Sequence, residues 1–91
     1  MKLKKIVSTK KFERDFGAAR KKELVDPEEI AYLADELAAG RLLDPGYKDH
    51  ELSFEWGGYR EFHLAGDLLV IYKITKTKII FVRMGTHSEL F

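Results

Sequence analysis

The side chains best suited to moving protons near neutral pH are three histidines, His50, His63 and His87, all in the second half of a 91-residue chain. Imidazole titrates in that range without help from its surroundings. The three stand among the cations Arg60, Lys73 and Arg83, the acid Asp67, and the aromatics Tyr47, Trp56, Tyr59 and Phe91. Imidazoles beside fixed cations suit acid–base transfer around a phosphate, which points to cutting RNA rather than only holding it. That reaction needs a base for the ribose 2′-hydroxyl, an acid for the departing 5′-oxygen, and positive charge on the phosphorane. The route uses no metal, and no cofactor is expected. A zinc site built from His50, His63, His87 and Asp67 is chemically allowed but has no compact ligand spacing behind it.

Composition removes other chemistries. There is no cysteine, which excludes disulfides, thiolate metal ligands and a nucleophilic thiol. The start Met1–Val7 is basic, but the polar stretch Ser8–Glu13 follows instead of an apolar run, so neither a signal peptide nor a membrane span is expected. A cytoplasmic location is the simplest expectation. The net charge of +1 hides a division. Residues 1–22 carry nine Lys or Arg against two acids, 9 − 2 = +7, and the remainder is therefore −6. A basic segment of this kind is an electrostatic footprint for nucleic acid or for an acidic partner.

These groups need a scaffold, and 91 residues allow one domain, 1–91, with a single main core. Leu3, Ile6 and Val7 predict a short strand ending at Ser8-Thr9. Thr9 then caps a helix whose apolar stripe is Phe12, Phe16 and Ala19. A second helix opens with Asp26 as cap and Pro27 at its first position, turns Ile30, Leu33 and Leu37 inward, and stops at Gly40. After a loop over 42–55 come three strands, roughly Tyr59–Ala65, Leu68–Ile74 and Lys78–Met84, joined by short turns. The expected class is α+β in the order β-α-α-β-β-β: a small, mainly antiparallel sheet with an antiparallel helical pair on one face and the other face partly open. Alternation places Tyr59, Glu61 and His63 on the open face. It places Arg83 there too, in phase with Ile79 and Phe81.

The order of elements and the run Tyr47-Lys48-Asp49-His50, Trp56, Gly58-Tyr59-Arg60, His63, Asp67, Ile71-Tyr72-Lys73, Arg83, Gly85-Thr86-His87-Ser88-Glu89-Leu90-Phe91 resemble the YafQ branch of the RelE/ParE toxin superfamily. The resemblance spans most of the chain and is most specific in its second half. It implies a RelE-like fold and a type II toxin that acts as a ribosome-dependent, metal-independent endoribonuclease on translated messenger RNA in the A site. It further implies a cognate antitoxin as partner, operator DNA reached only through the antitoxin complex, and no membrane. Two departures stand out. Ala65-Gly66 replaces a frequent Glu-Pro, implying a looser turn, and Gly57 replaces a frequent lysine, removing one cation.

By that resemblance His87 is the proton donor, and His63 and His50 supply the base and a second proton-handling or phosphate-orienting group, in either order. Asp67, just after the Gly66 turn, can orient an imidazole; Gly-Asp is also ordinary turn chemistry. Arg83 is assigned to the scissile phosphate. Phe91, Trp56, Lys48 and Arg60 are assigned to substrate, Phe91 by stacking on a base. For Trp56 core packing is the stronger reading, and Arg60, on the opposite strand phase from His63, is equally suited to bracing the fold. The plain alternatives are a solvent histidine in a frayed tail for His87, a hydrogen-bonded strand histidine for His63 and a surface loop residue for His50. At the level of the whole chain, the alternative is a non-catalytic module of the same fold that binds antitoxin and represses transcription.

Overall fold

The computed structural model describes residues 3–91. Five strands, β1 (Lys5–Ser8), β2 (His50–Glu51), β3 (Arg60–His63), β4 (Leu68–Ile74) and β5 (Lys78–Thr86), form one sheet in the order β1-β5-β4-β3-β2. The β1–β5 pair is parallel and the other pairs are antiparallel, so the sheet is mixed. The helices are α1 (Lys10–Lys21), α2 (Pro27–Ala38) and a terminal turn, α3 (His87–Leu90). The two-residue strand β2 and α3 are additions to the expected order.

The helix starts follow local chemistry. Thr9 Oγ1 accepts from the Phe12 amide at 3.0 Å, and Asp26 Oδ1 accepts from the Glu28 amide at 2.9 Å, with Pro27 at the first helical position where no amide is needed. Phe12 and Ala19 of α1 and Ile30, Leu33 and Leu37 of α2 share one core with Phe62, Val70, Tyr72, Ile79, Phe81 and Met84. Both helices therefore cover the same sheet face, as expected. β4 is the central strand and reads as a continuous apolar run because both its faces are covered. Val70 and Tyr72 meet the helices, while Leu69 and Ile71 pack on the other side with Leu90, Trp56, Tyr59 and Leu52. That second face is thus partly closed, by α3 and the 52–59 loop.

The alternation predicted for β5 is wrong in phase. Ile79 and Phe81 point into the helix-side core, with Phe81 stacked 5.4 Å from Phe12. Tyr72 then pairs with Phe81 but Ile71 pairs with Arg83, so Val82 is one residue in excess, a β-bulge. Beyond the bulge Met84 resumes the helix-facing stripe and Arg83 falls in register with Ile71. No helix among the described residues is long and apolar enough to cross a membrane.

Phe62 is fully buried and touches the rings of Tyr47, Tyr72 and Phe81. Its truncation leaves a cavity under strand β3, so Phe62→Ala is expected to lower unfolding free energy by about 3–5 kcal/mol, measured by urea denaturation. A loss below about 1 kcal/mol would contradict this packing.

Candidate functional site

The site grows from the pairing of β2 with β3. His50 lies directly opposite Glu61, and His63 follows two residues along on the same face. Glu61 is 3% exposed. Its Oε2 faces His50 Nε2 at 3.0 Å and His63 Nε2 at 3.2 Å, while Oε1 is buried with no hydrogen-bond partner among the described residues. His50 is oriented from behind: its Nδ1 lies 2.6 Å from the Lys48 carbonyl, and because a carbonyl only accepts, Nδ1 is the donor. Lys48 presents that carbonyl from a left-handed backbone (φ 51°) at the end of the 3-10 turn Pro45–Tyr47.

His87 arrives from the other end of the sheet, at the first position of α3. The Thr86 amide donates to Glu89 Oε1 at 2.8 Å, closing the turn. Gly85 lets it sit tightly on β5, since a Cβ there would meet Glu89 Oε1 at 3.2 Å and Leu90 at 3.3 Å. Leu90 is buried beneath. The tail is therefore an anchored helical turn and not the frayed tail of the plain alternative for His87. His87 Nδ1 donates to Asp67 Oδ1 at 2.9 Å, the carboxylate being delivered by the turn in which Gly66 takes φ 71°. The imidazole that Asp67 holds is that of His87, and not that of His63, the histidine four residues before it across the hairpin. The Asp67 carboxyl is held below the usual aspartate range chiefly by this hydrogen bond.

The result is a row of rings. Successive centroids from His50 to His63, His87 and Phe91 are 5.9, 5.8 and 5.9 Å apart. The row continues from Phe91 to Trp56 at 6.5 Å and Tyr59 at 5.3 Å, where the Lys73 ammonium lies 5.2 Å from the Tyr59 ring centre. Trp56 is half-buried with Leu69, Ile71 and Leu90, so it buttresses Phe91, a residue that is itself 56% exposed.

Other residues singled out in the sequence stand elsewhere. The Arg83 guanidinium is bound to Asp15 of α1, Nε to Oδ2 at 2.8 Å, and the same Asp15 oxygen accepts the Met84 amide at 3.0 Å. Its register row, Glu61–Ile71–Arg83, sets its backbone two strands from Glu61, about 10 Å, but the side chain turns to the strand edge. Arg60 braces the helix side through Asp49 and the buried Tyr72 hydroxyl, each at 3.3 Å. Burial, and then the hydrogen bond to Asp49, push the Tyr72 hydroxyl well above the usual tyrosine range. Tyr47 packs on Phe62 and donates to Glu29 at 2.9 Å, away from the row. Lys48 is exposed, and the structure ties its carbonyl rather than its ammonium to the site.

Glu61 was placed on the right face from sequence but given no role. The available signal was a carboxylate alternating with His63 in a strand whose other phase, Phe62 and Leu64, is apolar. Among the described residues, His50, Glu61 and His63 are also the group whose ligand atoms converge, all within 4.8 Å of one another; neither His87 nor Asp67 belongs to it.

Residues 4–91 match the family model described as the bacterial toxin of type II toxin-antitoxin system, YafQ. The chain is 40% identical over 81 residues to the mRNA interferase toxin YafQ of Escherichia coli strain B/BL21-DE3, covering 88% of this chain and 87% of that one. Among solved structures it superposes on a metal-bound toxin from Helicobacter pylori with a TM-score of 0.88 and 38% identity, over all of both chains. It superposes on YafQ in the E. coli DinJ-YafQ complex with a TM-score of 0.84 and 36% identity, over 97% of this chain and 98% of that one.

The His87–Asp67 bond has a titration signature. A depressed carboxyl pKa means that the contact is present above the unfolded value and is lost as pH falls through the folded one. Carboxyl carbon NMR is expected to show Asp67 titrating below the usual range and moving back up in His87→Gln. An unchanged midpoint in the variant would place the cause elsewhere.

Proposed function

The chain belongs to the YafQ family of type II toxins, and from that premise we propose that it is an mRNA interferase, a ribosome-dependent endoribonuclease that cuts translated messenger RNA in the A site by histidine acid–base catalysis. The observation that carries this reading is the row of three imidazoles at centroid steps of 5.9 and 5.8 Å, ending on an exposed aromatic. Proton acceptors and a proton donor stand side by side along one strip of surface, as a phosphodiester with one oxygen to activate and another to expel requires.

Roles follow from the partners. His87 donates its Nδ1 hydrogen to Asp67, which leaves Nε2 of a largely exposed ring to protonate the 5′-oxygen. His63 and His50, coupled through Glu61, form the accepting end that takes the 2′-hydroxyl proton. Attack of the 2′-oxygen then yields a 2′,3′-cyclic phosphate and a free 5′-hydroxyl. Phe91 stacks on a base, an interaction worth about 1–3 kcal/mol, with Trp56 holding it in place. Arg83 serves the phosphate only by exchanging Asp15 for it, and Lys48 and the lysines of α1 steer the domain toward RNA in a salt-sensitive way. In the cytoplasm a cognate antitoxin neutralises the toxin by covering the face that carries the row or by displacing α3. Operator DNA is contacted only through that complex.

In cells, His87→Ala is expected to lower cleavage by about 10²–10⁴-fold while wild type produces new 5′ ends within translated frames, read by 5′-end mapping. Growth arrest with intact messages would overturn the nuclease reading, and no toxicity from wild type would favour the non-catalytic antitoxin-binding module.

A further inference from the structure

Phe54 has an exposed ring and a strained backbone. The residue is 99% exposed, so the ring contributes no packing, and its φ of 56° lies in the left-handed region, where a bulky side chain is an outlier. A glycine would hold the same turn without strain. The conformation is imposed by the loop: the Leu52 amide donates to the Tyr59 carbonyl at 2.9 Å, the Trp56 amide to that of Ser53 at 3.2 Å and the Gly57 amide to that of Phe54 at 3.0 Å. Strain kept at a ring that packs on nothing points to a task for the ring.

Phe54 lines a depression of about 540 Å³ that the exposed Phe91 also lines, with Leu52, Trp56 and Leu90 as its apolar floor. Two open rings over such a floor suit a flat, uncharged aromatic partner. A phosphate does not fit: no Lys or Arg among the described residues lines the depression, whereas Glu55 does. We propose that it is a subsite for one nucleobase, that of the nucleotide on the 3′ side of the cut, which stacks on Phe54 as well as on Phe91. The side follows from the order of the row. His50 and His63 take the 2′-hydroxyl proton and so mark the nucleotide 5′ of the cut, while His87 protonates the 5′-oxygen of the next one. Phe91 stands beyond His87, 5.9 Å away between ring centres, and the depression opens there. Because every base has a π-face, the subsite adds affinity without selecting among bases. The assignment of the side rests on the nuclease reading above, whereas stacking in the depression does not.

The test compares the whole chain with Phe54→Gly, which removes the ring and relieves the backbone, so the thermal midpoint is expected to change little. A fall of about 10 °C or more would give the ring a packing role and overturn the premise. On ribosomes programmed with a defined message, wild type is expected to lose about tenfold in kcat/KM when the nucleotide 3′ of the cut is made abasic. Phe54→Gly should lose about as much on the intact message and almost nothing further on the abasic one. Losses that simply multiply would overturn the contact between ring and base, and coupling to an abasic nucleotide 5′ of the cut would overturn the assignment of the side. Normal cleavage by Phe54→Gly together with weakened antitoxin binding would give the ring to a protein partner instead. Occupancy is read without cleavage from Trp56, the chain's single tryptophan, which lies in the depression. A 2′-O-methylated trinucleotide is expected to quench its fluorescence, and Phe54→Gly should need about tenfold more of it. Quenching in a protein that cuts no message would leave the subsite standing and remove the nuclease reading, whereas no quenching at millimolar trinucleotide would overturn the subsite.

Discussion

A carboxylate withdrawn almost wholly from water has to find its partners in the protein, and Glu61 finds them by drawing His50 and His63 onto one oxygen. This is the constraint on which the site depends. It fixes the two-residue strand β2 against β3, gives a loop histidine a defined direction, and sets His63 between His50 and His87 in the row. Interiors tolerate such groups only when the geometry around them is determined. The histidine row is therefore held by the fold and does not rely on a ligand to assemble it.

The sheet divides labour between its faces. On the helix side, Phe62, Tyr72 and Phe81 form the rigid layer, and Arg60 with Asp49 secures the end of β3 against the buried Tyr72 hydroxyl. On the other side a smaller apolar cluster under Leu90 and Trp56 supports the exposed ring of Phe91. Asp15 joins these halves from α1. Where β1 stops, at the pair Ser8–Phe81, the edge of β5 is left without a strand partner, and Asp15 takes the Met84 amide while neutralising Arg83. Among its basic neighbours in α1, that acid is structural.

Much of the architecture was legible because local and global signals agreed. The Thr9 and Asp26 caps, the Pro27 start and the apolar stripes of both helices needed only periodicity and capping chemistry. So did the strands bounded by Gly66 and by Thr75-Lys76-Thr77. The three histidines were legible as chemistry, and their convergence is a tertiary fact. Three things were not legible. β2 is two residues long and exists through its pairing, without a hydrophobic period of its own. Glu61 reads as an ordinary outward strand residue until β2 pairs beside it and His50 closes over its carboxylate. The phase of β5 depends on a bulge that no local residue announces, since Phe81-Val82-Arg83 alternates acceptably either way.

That bulge has a consequence for how the strand tolerates change. Val82 is surplus to the pairing with β4, so β5 carries one more residue than its partner strand needs. Excising it would leave the pairs on either side in register, Tyr72 with Phe81, Ile71 with Arg83 and Val70 with Met84, and would remove only the local kink and extra twist. Loss of a residue at Val82 should therefore be tolerated better than loss within the paired stretches on either side, where it would turn every side chain beyond it to the opposite face.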